Sequence, residues 1–176
     1  AEFVAFEVVD AQKRPTPVRM EIRDALGVSH IPGAALPVQN GCPSEPVPND
    51  APGCITGFKV TNSINNPHTG TQQFYVDRPF KIDLPVGAYT VAVFKGIEYQ
   101  VERRTLDVVP FENAPVTVVM QRWSNVNAQG WFSADEHLHL QRVSPSDDET
   151  IARWAQAEDV NVANLLQVGT EKYFNV

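Results

Sequence analysis

The stretch 3-FVAFEVVD-10 decides how the longer part of the chain is read, because apolar residues alternate in it with polar or small ones. In a strand successive side chains project to opposite faces, so such a run buries one face and leaves the other to solvent. The same alternation returns in 17-PVRMEIRD-24, 89-YTVAVFKG-96, 98-EYQVERRTLDVV-109 and 115-PVTVVMQRW-123, and each run predicts a strand. Turn signals at Asp24 to Gly27, Pro85 to Gly87 and Lys95-Gly96 separate them, so consecutive strands are expected to pair as hairpins or to cross in a Greek key. Residues 1–123 therefore read as an antiparallel β-sandwich of roughly seven strands, and the fold class as mainly β.

Composition agrees. With 176 residues the chain is long enough to bury a proper core, roughly 70% of its unfolded surface. Fourteen prolines and ten glycines indicate many turns, and 43% hydrophobic with 20% charged residues is ordinary for a globular protein. No apolar run approaches the ~20 residues of a membrane span. The net charge of −7, with no cluster of Lys and Arg in sequence, argues against a nucleic-acid surface.

Residues 29–73 are too long for a turn, and their prolines and asparagines argue against a central strand, so they are expected to form a decorated surface loop. His68, in 62-NSINNPHTG-70, lacks a partner at metal-ligand spacing and reads as a solvated loop residue. Both cysteines, Cys42 and Cys54, lie in 40-NGCPSEPVPNDAPGC-54, a segment with little apolar material to hold it. A disulfide closing so short a loop contributes about 3 kcal/mol and persists in an oxidising compartment. The alternatives are two free thiols or two ligands of a metal whose other ligands are not apparent. The start at 1-AEFVAF, without Met, is what a secreted or periplasmic protein after leader removal, or a trimmed chain, would have.

At 124-SNVNAQG-130 the alternation stops, and residues 124–130 read as a linker. Beyond it 131-WFSADEHLHL-140 predicts a strand, 144-SPSDDETIARWAQAED-159 a helix and 160-VNVANLLQV-168 a second strand. The helix is expected from a capping box of Ser146 with Glu149, from Asp147 and Asp148 near its positive end, and from Ile151, Trp154 and Ala155 at helical spacing. The second strand is nearly all apolar, as a parallel strand covered on both faces is. Residues 131–176 thus read as a βαβ unit, with Trp131, Phe132 and Trp154 expected in its packing.

Within 133-SADEHLHL-140, two of the four histidines of the chain stand two residues apart, with Asp135 two residues before them. On a strand Asp135, His137 and His139 share a face, and they are placed in its later half, where α/β proteins carry their sites. Two imidazoles so spaced can converge on one ion, and an aspartate can join them or orient one of them. The other reading is a set of polar rim residues bonded to loops. No Gly-rich phosphate loop, no Gly-x-Ser-x-Gly elbow and no Cys/His nucleophile pair is present, so metal-assisted hydrolysis is the one chemistry the residues propose.

The run 130-GWFSADEHLHLQRVSPSDDETIARWAQAEDVNVANLLQVG-169 resembles the opening of the catalytic domain in PHP-type (polymerase and histidinol phosphatase) metallohydrolases, in particular the CehA/McbA-like branch. The preceding sandwich looks like the carboxypeptidase-regulatory-like modules that accompany such domains. The resemblance implies a distorted β/α barrel, of which 131–176 would be an incomplete βαβ piece, with a centre of divalent metal ions (Zn, Mn or Fe). Asp135, His137 and His139 would correspond to its first ligand motif. It implies hydrolysis of phosphate or other esters by a metal-bound hydroxide, with the remaining ligands carried by further βα units. Other catalytic residues are not readable.

Two classes of function follow. One is the N-terminal portion of a secreted metal-dependent hydrolase, inactive or nearly so as this piece, acting on a small ester-like substrate. The other is a secreted sandwich that binds a glycan or a surface, or assembles with itself, without catalysis. In either case the open edge of the βαβ unit needs cover, from a further barrel segment or from another chain.

Overall fold

The computed structural model describes residues 1–41, 58–140 and 145–167. In chain order the strands are β1 (Glu2–Val9), β2 (Val18–Asp24), β3 (Val38–Gly41), β4 (Phe58–Thr61), β5 (Ile64–Asn65), β6 (Gln72–Val76), β7 (Phe80–Leu84), β8 (Gly87–Phe94), β9 (Glu102–Val108), β10 (Val116–Val119), β11 (Ala134–Leu140) and β12 (Val162–Gln167). A 3-10 turn covers Val126–Gln129, and one α-helix, α1, covers Pro145–Ala157.

Two sheets share a core. One has the order β10-β1-β7 and the other β5-β6-β2-β8-β9. Their inner faces come from the alternation: Val4, Phe6 and Val8 on β1, Met20 and Ile22 on β2, Phe80, Ile82 and Leu84 on β7, and Val91 and Val93 on β8 are all buried in one cluster. Among the described residues that cluster extends from Val4 to Met120 and takes no residue from α1, β11 or β12. Phe80 stacks on Phe6 within one sheet at 5.3 Å and meets Phe74 of the other edge-on at 6.1 Å, geometries that favour aromatic pairs. The molecule is mainly β with largely antiparallel sheets, as expected from the sequence.

The Pro85 to Gly87 turn carries the chain from β7 in one sheet to β8 in the other, the crossing that was one of the two expected connections. Two features differ from the expectation. First, β1 pairs with β10 in parallel, Phe6 opposite Val116 and Val9 opposite Val119; local alternation specifies a buried face but not the direction of a distant partner. Second, the segment 29–73 is more than a loop. It contains the antiparallel β3–β4 pair and the short β5 beside β6, and β6 itself runs alongside β2. Its prolines fall outside those strands, at Pro32, Pro37 and Pro67 among the described residues, so they do not interrupt the ladders.

Among the described residues no helix is long and apolar enough to cross a membrane.

Candidate functional site

The unit that carries the Asp-x-His-x-His run is built as β11, α1, β12, with its two strands parallel. The strand begins at Ala134, three residues later than the sequence suggests, so Asp135 is its second residue and not part of its later half. Trp131 and Phe132, expected in the packing, precede the strand and stay 71% and 65% exposed. They follow the 3-10 turn, whose Gly130 has φ 86°, and no partner strand reaches them.

Pairing in β11 is irregular at the point of interest. Asp135 stands opposite Ala163 and Leu138 opposite Leu165, so Glu136 and His137 together face the single residue Asn164. Regular pairing then resumes, with His139 opposite Leu166. This is a β-bulge, which re-aims the strand locally. The plain two-residue alternation expected from the sequence therefore does not run unbroken from Asp135 to His139. Asp135 is the one member of the triad whose side chain is described; those of His137 and His139 lie outside the described side chains, as do Cys42 and Cys54 altogether.

Pro145 opens α1, where its fixed φ fits and its missing N–H costs nothing. Ser146 lies inside the helix and its carbonyl accepts from the Thr150 hydroxyl at 3.3 Å, so it is not the N-cap of the expected box. The cap position, residue 144, lies outside the described residues. Asp147 and Asp148 occupy the first turn as expected, where negative charge favours the helix dipole. Ile151 and Ala157 are buried. Asp159, just past the end, adopts φ 55°, the left-handed conformation that closes many helices.

The sandwich holds this unit through a set of polar contacts at the helix C-terminus. Arg19 on the outer face of β2 donates from Nε to Glu158 Oε1 at 2.6 Å, and the Tyr75 hydroxyl of β6 donates to the same oxygen at 2.8 Å. Burial, reinforced by the Glu158 carboxylate, holds the Tyr75 phenol above its usual pKa. Arg19 also donates to Gln73 Oε1 and lies over the Phe94 ring at 4.8 Å. Lys95 is 6% exposed, and its ammonium donates to the carbonyls of Pro17 (2.8 Å) and Gln156 (2.6 Å), a cation at the negative end of α1. Burial pulls its pKa down to about 8, against the opposing pull of Asp159. Arg122 bridges Glu98 at 3.0 Å and Asp159 at 2.7 Å with its guanidinium over the Tyr99 ring.

From Asp159 the contacts lead to β11. The Ser133 hydroxyl donates to the Asp159 carbonyl at 2.6 Å, and the Ser133 carbonyl accepts from the amides of Asn161 and Val162 at 3.1 Å each. Ser133 therefore ties the entry of β11 to the entry of β12, two residues before Asp135. None of Arg19, Tyr75, Lys95, Arg122 or Glu158 carries a local sequence signal. Arg19 and Glu158 are 139 residues apart, and only the fold reveals the pair.

Between α1, the two parallel strands and the β3 edge lies a cleft of about 310 Å³. Val38, Ile64, Ile151 and Val160 make apolar walls, and Asp135 and Glu158 bring carboxylates to it. Trp154 also lines it, and its buried indole N–H has no hydrogen-bond partner among the described residues. Of the three expected ligands, then, one is placed on a cleft wall. His68 sits in an exposed turn, with its amide donating to Asn66 Oδ1 at 3.0 Å. Among the described residues no group of three His, Cys, Asp or Glu side chains is disposed to hold a metal ion. Comparison of the chain with protein families, with curated proteins and with solved structures finds no match.

Proposed function

We propose that this chain is the N-terminal portion of a secreted or periplasmic metal-dependent hydrolase of esters or phosphoesters, in which Asp135, His137 and His139 are the first ligands. The observation that carries the reading is the placement of this Asp-x-His-x-His run across a bulge in β11, the first strand of a parallel β-α-β unit. Bulges recur next to active sites because they re-aim a side chain that regular pairing would fix. The donor set fits a divalent ion of the Zn, Mn or Fe kind: imidazole nitrogen with one carboxylate.

A divalent ion held by Asp135, His137 and His139 would supply a hydroxide-like nucleophile near neutral pH and a Lewis acid for the ester oxygen. The chain's own residues supply position. Ser133 fixes the start of β11, Arg122 fixes Asp159 and with it Ser133, and Glu158, engaged by Arg19 and Tyr75, belongs to the scaffold. The finer assignment, a PHP-type barrel of the CehA/McbA-like branch, rests on the resemblance of residues 130–169. It requires further βα units, or another chain, along the open edges of the β11–β12 pair. Equilibrium dialysis against Zn²⁺ and Mn²⁺ tests the assignment. Weak but saturable binding by this chain, lost on joint replacement of His137 and His139 by Ala, is expected; equal uptake by both proteins would contradict it.

A further inference from the structure

We propose a second binding site: the depression on the outer face of the five-stranded sheet, between β2 and the edge strand β9, takes a phosphate or sulfate group. The depression measures about 680 Å³. Register explains its shape. Glu21 stands opposite Ala92 and Ala92 opposite Arg103, while Arg23 stands opposite Thr90 and Thr90 opposite Thr105. These residues alternate with the core-facing Met20, Ile22, Val91 and Val93, so they share the outer face. The small side chains of Ala92 and Thr90 keep the floor low between arginines on the two flanking strands. Strands two apart are separated by about 9.5 Å, a span across which two guanidiniums can meet one oxyanion.

The charges are prepared for it. Glu21 is 6% exposed; it accepts from Thr71 Oγ1 at 2.7 Å and Gln73 Nε2 at 3.2 Å, and holds Arg23 Nε at 2.6 Å. The Arg23 contact is an ion pair without hydrogen-bond alignment, since among the described residues Nε finds no hydrogen-bond partner. The side chain of Arg103, at the sheet edge, makes no ion pair or hydrogen bond among the described residues, whereas Arg14, Arg19, Arg78, Arg122 and Arg153 each face a carboxylate. Two cations, Arg23 and Arg103, and one carboxylate face the depression, in a chain whose net charge is −7; Arg104 stands opposite the core-facing Val91 and belongs to the other face of the sheet. Asp107 lies two residues beyond Thr105 and is not part of the lining. Charges on an edge strand also discourage pairing with another chain, but that role does not call for Arg23 from two strands away. Paired arginines with hydroxyls between them are a fitting receptor for a tetrahedral oxyanion.

Calorimetric titration of the full chain with inorganic phosphate, inorganic sulfate and a sulfated oligosaccharide, all at one ionic strength, tests this. Saturable binding of at least one probe is expected, weakened about tenfold or more in Arg23→Ala/Arg103→Ala and unchanged in Arg78→Ala, whose arginine is paired elsewhere. Binding of either inorganic ion identifies a free anion as sufficient; binding of the oligosaccharide alone identifies an acidic glycan. Arg103→Gln, which removes the charge and keeps most of the side chain, serves if the double variant fails to fold. Absence of saturable binding to all three probes, or equal binding by a folded variant, overturns the proposal.

Discussion

Arg122, at the end of the sandwich, and Asp159, at the end of α1, face each other at 2.7 Å, and the same guanidinium reaches Glu98 at 3.0 Å. All three side chains are largely shielded, with Arg122 26% and Asp159 14% exposed. One cation thus neutralises two carboxylates that belong to different parts of the chain. Replacement of Arg122 by Met leaves both carboxylates unpaired, and a loss of roughly 2–4 kcal/mol is expected, below the cost of breaking a fully buried pair because solvent still reaches this one. Urea unfolding measures it. A loss under about 0.5 kcal/mol, the level of an exposed pair, would show that the bridge does not fasten the helical unit.

Gly96 makes a second, purely steric fastening. Its φ is +57°, and a Cβ there would lie 2.5 Å from the Glu158 carbonyl oxygen and 2.6 Å from Asp159 Cβ. Gly96→Ala is therefore expected to cost about 2–4 kcal/mol, the backbone penalty plus overpacking. Gly27→Ala is the control: its φ is +83° with open space around it, so only the backbone penalty of about 1–2 kcal/mol applies. Equal losses at the two positions would place Gly96 away from α1.

Lys95 gives the molecule a pH dependence with a definite sign. Its pKa is about 8 when folded against 10.5 for the free side chain, so between those values the unfolded chain holds more protons and stability rises with pH. Tyr75, whose pKa burial raises from 10.0, acts in the opposite sense only above that value. Between pH 8 and 10, then, the wild-type unfolding midpoint should rise relative to that of Lys95→Met. Parallel profiles across that window would mean that the ammonium is not desolvated.

Cys42 and Cys54 remain a prediction about the segment between β3 and β4. Mass spectrometry of unreduced, secreted protein is expected to return the two peptides linked to each other. Recovery of two freely alkylated thiols would remove the disulfide and weaken the extracytoplasmic assignment.

How much of this was legible in the sequence differs by element. The alternation in 3–10, 17–24, 89–96, 98–109 and 115–123 marks five of the eight sandwich strands, β1, β2, β8, β9 and β10, because burial of one face leaves a period of two. β7, which is Phe80-Lys-Ile-Asp-Leu84, alternates just as well, but it is short, lies between Pro79 and Pro85, and is not among the runs named as strands from the sequence. The parallel partnership of β1 and β10 was not legible, since pairing direction over a hundred residues leaves no local trace. The helix was legible in its apolar spacing but not at its start, where Ser146 resembles a cap and Pro145 takes the first position. For the candidate site, the residue types of Asp135, His137 and His139 were visible; the bulge that separates their pairing was not, because the extra residue is defined only against β12. The fastening of Glu158 to Arg19 and Tyr75 depends on contacts across the whole fold.

The central claim, that β11 carries the first ligands of a hydrolytic metal centre, is tested most directly by metal analysis of the protein in the longest form that carries this chain, purified without chelators. The account predicts bound Zn, Mn or Fe that is lost together with ester or phosphoester hydrolysis in His137→Ala/His139→Ala, while the unfolding midpoint of the sandwich stays unchanged. Normal metal content and full activity in that double variant would contradict it.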